Sequence, residues 1–548
     1  MSSRLARSAG LIGIATMASR LLGVVREIVL ASLFGASATP AMDAYNVAFR
    51  IPNLVRDLFA EGAMTAAFVP TFTRTLNSQG REAAWRLGNL VINALLVVTG
   101  VIVVLAIVFA EPITRVIASA DIVGDVLRAL GVATRAAAPG GFASVKGKLE
   151  LTTQLTRIMM PFLTTVAVAV AVMGMLNALH RFFLPALSPA MFNVATIVCA
   201  FALVPLMPSV GLPPIAAIAI ATVLGGIGQI AIQWPALRKE GFRYRPVLSF
   251  RDPGVREILR LMGPGTLGLA AVQINVLVNT SLATTEPQGA VSWLQYAFRL
   301  MYLPIGLFGV SVATASLPDL SKHAADADRT AMRRTISSGL RLMLMLNVPA
   351  TIGLIVLAQP IIELLLQYGR FTSQDTAATA AALMFYSPGL VGYSAVKIAS
   401  PSFYSLGDSK TPAMVSIVSI LLNLVLNVML VNVMGYRGLA LGTAIAALFN
   451  AGMLLYLLHR RLGGIDGAQI GVAFGKILVA SILMGVTSYF AAAWLNQLLP
   501  APQWHWRAVR VSIAIGAGVI VLMASARMLA IAEFNDAMGR VTRRLGRR

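Results

Sequence analysis

Apolar residues recur in runs of 20 or more, separated by short polar connections, from near the N-terminus to about residue 532. About 20 such residues are enough to carry an α-helix across ~30 Å of hydrocarbon. The runs predict about fourteen spans, at 8–34, 41–74, 86–110, 151–177, 184–207, 212–235, 256–284, 290–317, 335–358, 376–404, 411–434, 437–460, 470–498 and 507–532. Their period is helical or uniformly apolar. It lacks the ~10-residue alternation of outer-membrane barrel strands, so each segment must satisfy its backbone hydrogen bonds internally. The pattern therefore predicts an all-α integral membrane protein.

Composition agrees, since 57% of residues are apolar and only 12% charged, against roughly 25% charged in soluble domains. The first segment does not read as a cleavable signal peptide, because Arg20, Arg26 and Glu27 interrupt it. It is expected to stay. Of the basic residues in alternate connections, about 25 fall on one side and about 8 on the other, most of these in the 111–150 connection. The positive-inside rule then places both termini in the cytoplasm, as an even number of spans requires.

The same asymmetry accounts for the net charge of +22. Basic residues flanking spans fit anionic lipid headgroups, not nucleic acid, for which an aromatic-interleaved patch is missing. The single cysteine, Cys199, lies within a span, which excludes a disulfide framework. His180, His323, His459 and His505 stand at span ends or in loops and make no metal-ligating cluster.

An internal repeat is visible at an offset of 249, which lays Ala48-Phe49-Arg50 on Ala297-Phe298-Arg299 and Leu58-Phe59 on Leu307-Phe308. Six spans per half make parallel repeats, an architecture that binds substrate between lobes. The predicted organisation is an N-terminal lobe over 1–238, a basic cytoplasmic linker over 239–255, a C-terminal lobe over 256–462, and two further spans with a basic tail over 463–548.

Charges inside the spans are the candidate chemistry. Asp43, Arg50 and Asp57 are seven apart and Glu61 is four further on, forming one stripe of the second span, with Arg56 off to its side. The first span adds Arg20, Arg26 and Glu27. Each such group costs roughly 2.5–3.5 kcal/mol at the bilayer centre, so the set must face protein or water. One reading is structural, with Arg20 paired to Glu27 and Arg50 to Asp57. It leaves a surplus of arginine, whose planar fork binds phosphate in bidentate fashion and stays charged. Arg20, Arg26, Arg56 and Arg299 thus point to a cationic cavity for a phosphate-bearing substrate. Pro52 removes a backbone donor and predicts a kink or hinge in the second span. Lys397, ahead of Pro401, is a further intramembrane cation that either snorkels or pairs.

Enzyme motifs are lacking. The stretch GFASVKGKL, Gly141 to Leu149, has the wrong spacing for a P-loop and Leu where Ser or Thr should hold magnesium. Neither G-x-S-x-G nor H-E-x-x-H occurs. Transport is the class these residues favour.

The segments ATMASRLLGVVREIVLASLFG, DAYNVAFRIPNLVRDLFAEGAMTAAFVP, VSWLQYAFRLMYLPIGLFGVSVATASLPDLS and VKIASPSFYSLGDSKTP resemble the MurJ (MviN) family of lipid II flippases over nearly the whole chain. The resemblance implies the fold of the multidrug/oligosaccharidyl-lipid/polysaccharide exporter superfamily, with two six-helix lobes in a V plus two C-terminal helices that form a groove for the lipid tail. It implies a monomer in the bacterial inner membrane that flips lipid II by alternating access, with other cell-wall synthesis proteins as further partners. The family's cavity arginines fall on Arg20, Arg26, Arg56 and Arg299, and its acidic positions on Asp43 and Glu61. Glu27 and Pro52 join these as gating or charge-coupling candidates, and Arg50, Asp57 and Lys397 as secondary ones.

Two departures stand out. Phe298 replaces an aspartate found in many relatives, and Asn279, Asn423 and Asn427 align where some relatives bind sodium with carboxylates. These asparagines argue against sodium coupling; no cofactor is expected, and the membrane potential is the candidate driving force. The rivals are a related drug or polysaccharide-lipid exporter, a non-transporting cell-wall scaffold and, more remotely, an intramembrane transferase.

Overall fold

The computed structural model describes residues 2–58, 64–118, 147–306, 310–498 and 503–535. Among the described residues the chain is helical, without strands, and nine helices are long and apolar enough to cross a membrane. The helices divide between two compact units, one made of residues 1–292 with 368–371, the other of 293–367 with 372–548.

In the first unit, α1 (Ser2–Phe34) is followed by α2 (Ala41–Arg56), α3 (Met64–Val108) and α4 (Ala110–Ala118). Then come α5 (Lys148–Met159), α6 (Phe162–Ala178), α7 (Phe183–Ala202), α8 (Ala216–Lys239) and α9 (Pro253–Thr284). Gly80, at φ 84°, bends α3 between the end of the second expected span and the start of the third. The left-handed backbone there suits a residue without Cβ. Phe68, Phe72, Leu87, Met175 and Phe242 form the core between α3, α6 and the linker after α8.

That linker is held as a strap. Asn89 and Asn93, one turn apart on α3, donate to the carbonyls of Arg243 (3.0 Å), Arg245 (2.9 Å) and Val247 (2.9 Å). Asn89 also accepts from the Arg245 N–H at 2.8 Å, and the Tyr244 hydroxyl donates to Asn93 at 2.6 Å. Backbone outside helices and strands finds hydrogen-bond partners in side chains. A cleft of about 1230 Å³ lies beside the strap, and none of Arg20, Arg26 and Arg56 lines it.

The second unit takes most of α10 (Ala290–Pro304), then α11 (Val310–Ala325), α12 (Arg329–Val356), α13 (Ala358–Leu366), α14 (Ser373–Tyr386) and α15 (Gly389–Ser405). It ends with α16 (Lys410–Met434), α17 (Tyr436–Leu462), α18 (Gly467–Leu498) and α19 (Trp504–Met528). Met332, Ile336, Leu340, Leu454 and Ile477 centre its core. The expected last two spans, α18 and α19, pack on each other, and α18 packs on α12. Arg507 of α19 donates to the carbonyls of Glu363 (3.1 Å) and Gln367 (3.0 Å), closing the C-terminal end of α13 where carbonyls lack helix partners.

The repeat extends to the backbone. The offset that aligns Arg50 with Arg299 carries the start of α2 onto the start of α10. Both helices leave α geometry for a wider turn, at Asp57–Leu58 and at Ile305–Gly306. Pro52 produces no break, since α2 runs through it to Arg56 and the irregularity comes five residues later. The compact units divide the chain within α10, whereas the lobe boundaries expected from the repeat lie earlier, at 239–255.

Candidate functional site: the charged ends of the repeated helices

Among the described residues, the most enclosed charges of the first unit meet at three helix N-termini. Asp43 lies in the first turn of α2, Lys148 is the first residue of α5, and Gly289 immediately precedes α10. Both Asp43 and Lys148 are 1% exposed. The Lys148 ammonium donates to Asp43 Oδ2 at 3.0 Å. Oδ2 also accepts the Gly289 N–H at 2.8 Å, while Oδ1 accepts the N–H and hydroxyl of Ser292 at 3.0 and 2.6 Å. Asn46 completes the cluster by donating to the Ser292 hydroxyl at 3.1 Å.

Asp43 thus serves the first turn of α10 as a cap side chain would. Gly289, at φ 101°, occupies the capping place with no side chain of its own. Asp43 and Ser292 are also equivalents in the repeat, being 249 residues apart.

Further along α2, Arg56 donates to Asp57 at 2.8 and 3.1 Å, and Asp57 accepts from Asn53 and from Gln273 of α9, both at 3.1 Å. On α1, Arg26 pairs with Glu27 and sits 5.1 Å from the Phe192 ring centroid. Arg26 and Arg56 thus pair with their immediate neighbours Glu27 and Asp57, the acids that the structural reading gave to Arg20 and Arg50. Seven residues advance a helix by ~10.5 Å, two turns, farther than the i, i+3 and i, i+4 neighbours that meet most easily on a helix.

The paired side chains stay partly accessible, at 14% and 11% for Arg26 and Glu27 and 23% each for Arg56 and Asp57. Arg20, Arg50 and Arg299 are also half-buried. Glu61 lies outside the described residues, as does most of the P-loop-like stretch.

In the second unit, Arg299 stands on α10 next to an aromatic cluster. Phe298 meets Tyr302, Tyr386 and Tyr393 at centroid distances of 5.6, 5.5 and 6.3 Å. Its repeat equivalent Phe49 likewise meets Tyr45, Phe162 and Phe192 at 5.9, 6.0 and 5.8 Å. Asn423 and Asn427, both buried, exchange amide hydrogen bonds of 3.2 and 3.4 Å across one turn of α16. Lys397 is exposed on α15.

Comparison with known proteins decides the family. The model of the family described as lipid II flippase MurJ matches residues 30–501. A probable lipid II flippase MurJ of Vibrio cholerae serotype O1 is 35% identical over 461 residues, 84% of each chain. The lipid II flippase MurJ of Burkholderia cenocepacia is 33% identical over 520 residues, 93% of each.

The chain belongs to the MurJ family.

A solved MurJ structure, described as inward closed, is similar at a TM-score of 0.73 and 27% identity, covering 95% of this chain and 99% of that one. A multidrug exporter of the MATE family in the same superfamily shares the fold at a TM-score of 0.63 and 16% identity. The chain is thus an all-α, multi-pass membrane protein of the MurJ and MATE-like fold, and its curated relatives are named as flippases, transporters rather than enzymes. Lys148 is the residue that reading the sequence missed. Set between Lys146 and Glu150 in the sequence, just after Gly147, it looks like an ordinary flanking charge, and its partner lies 105 positions away.

Proposed function

We propose that the protein flips lipid II from the inner to the outer leaflet of the bacterial cytoplasmic membrane by alternating access. Family membership over residues 30–501 carries this reading. Arg20, Arg26, Arg56 and Arg299 receive the pyrophosphate of the head group while the prenyl tail stays in lipid. Guanidinium suits this role because its fork binds phosphate oxygens in pairs and keeps its charge at any physiological pH. The partial exposure of Arg26 and Arg56 beside acidic neighbours supports it, since such a neighbour can release the arginine to a doubly charged ligand.

Both termini lie in the cytoplasm in this reading, with the basic connections inside. Asp43, Glu27, Glu61 and the stretch around Pro52 gate or couple charge. The membrane potential, worth ~2.3 kcal/mol per charge per 100 mV, gives direction without a nucleotide or sodium ion. The protein acts as a monomer with lipid II and membrane lipids as its partners, alongside other cell-wall synthesis proteins.

Depletion of the protein in its source cell tests the function. Lipid II should accumulate where an externally added modifying enzyme cannot reach it. Normal outside access after depletion contradicts the proposal and favours a scaffold.

A further inference from the structure

We infer that Lys148 is a positioning residue for transport, acting through Asp43 on the first turn of α10, the helix that carries Arg299. The inference rests on the flippase reading above and adds a residue to it. A cation at the first position of a helix opposes the positive end of the helix dipole. Lys148 holds that position on α5 and is 1% exposed, and the Asp43 carboxylate 3.0 Å away offsets the cost of that placement. Local propensity alone would not place a lysine there.

Asp43 is fully committed. Oδ2 takes Lys148 and the Gly289 N–H, and Oδ1 takes the N–H and hydroxyl of Ser292. The carboxylate must be correctly rotated to receive all four donors, and Lys148 holds that rotation from one side. The Gly289 and Ser292 amides are among those that a helix start leaves without internal partners. Gly289 supplies no side chain for them, so the start of α10 depends on Asp43, and Asp43 depends on Lys148. The chain from Ser292 to Arg299 is seven residues of continuous helix, so a loosened first turn displaces the arginine.

The test uses the full-length protein reconstituted in lipid, as wild type, Lys148→Met and the double variant Asp43→Asn/Lys148→Met. Three quantities are read: amide exchange in 286–296, the thermal midpoint, and the initial rate of lipid II flipping. Lys148→Met should raise exchange in 286–296 at least tenfold and lower flipping at least tenfold.

The double variant removes both charges of the Lys148–Asp43 pair, so the midpoint should recover toward wild type. Exchange and flipping should stay impaired, because the asparagine offers one acceptor oxygen where the carboxylate offers two. Wild-type exchange and flipping in Lys148→Met overturns the inference. So does a double variant that flips at the wild-type rate, which would reduce Lys148 to charge balance. If Lys148→Met does not fold, the double variant decides. If wild type itself flips no lipid II, the functional proposal fails while the exchange data still decide whether Lys148 anchors the helix start.

Discussion

The helices beginning at Ala41 and Ala290 share a backbone plan and use charge differently. Both start at the same repeat position, place an aromatic residue in a ring cluster and an arginine beside it, and loosen into a wide turn at their ends. The first carries Asp43, Arg50 and Arg56, with Asp57 just beyond, whereas the second carries Arg299 as its one ionisable group apart from tyrosine. At the third position of each, Asp43 faces Ser292, and acceptor and donor have become different residues that bind each other. A duplicated scaffold can thus keep its geometry while assigning the acid to one copy and the hydroxyl to the other.

The sharpest way to break that asymmetry is Asp43→Ser, which makes the two helix starts alike. It removes the carboxylate 3.0 Å from the buried Lys148 ammonium, and removing one partner of a buried pair costs about 3–5 kcal/mol. A chemical or thermal unfolding series in detergent should register that loss, and an unchanged midpoint would show the pair to be dispensable.

Next in size is Arg299→Ala against Arg50→Ala. The proposal puts Arg299 on the substrate path and leaves Arg50 a structural role. Losing a hydrogen bond to a charged group costs about 1.5–3 kcal/mol, so Arg299→Ala should slow flipping by about 10- to 100-fold. Arg50→Ala should lower the unfolding midpoint more than it lowers flipping in the folded fraction. Equal flipping by both variants in a reconstituted assay would remove the distinction.

Phe49→Ala and Phe298→Ala compare the two ring clusters. Each aromatic pair is worth about 0.5–1.5 kcal/mol beyond the area buried, so the two variants should lose similar stability. A large difference in unfolding midpoint would show that only one cluster braces its helix.

The smallest effect concerns Asp408, in the turn between α15 and α16. Hydrogen bonds from the Thr411 N–H and hydroxyl, with Arg461 nearby, hold its carboxyl below the usual carboxylate range. A carboxylate lowered in the folded state stabilises above its unfolded value, ~3.9, and that contribution is lost as pH falls through the lower folded value. Amide exchange at Thr411 should therefore stay slow at pH 5 and rise only below about pH 4. Unchanged protection at pH 2.5 would contradict the assignment.

Much of this fold is legible in the sequence because a membrane demands long apolar runs, and run length is a one-dimensional signal. The repeat is legible too, from Ala-Phe-Arg in each half. The pairing of charges is not. Stripe arguments on α2 put Asp43, Arg50 and Asp57 on one face but ignore the 1.5 Å rise per residue, which separates them by two turns. Lys148 was hidden for a different reason, since its partner and the helix start they serve come from three segments remote in sequence. Pro52 is a further case, since α2 keeps its helical assignment through the proline to Arg56.

The most direct test of the arginine claim is competition for lipid II binding to the reconstituted protein by an undecaprenyl pyrophosphate and by an uncharged polyprenyl glycolipid. The account predicts that the pyrophosphate competes and the neutral lipid does not, and that this preference collapses in Arg56→Gln and Arg299→Gln. Equal competition by both lipids, or an intact preference in both variants, would contradict it.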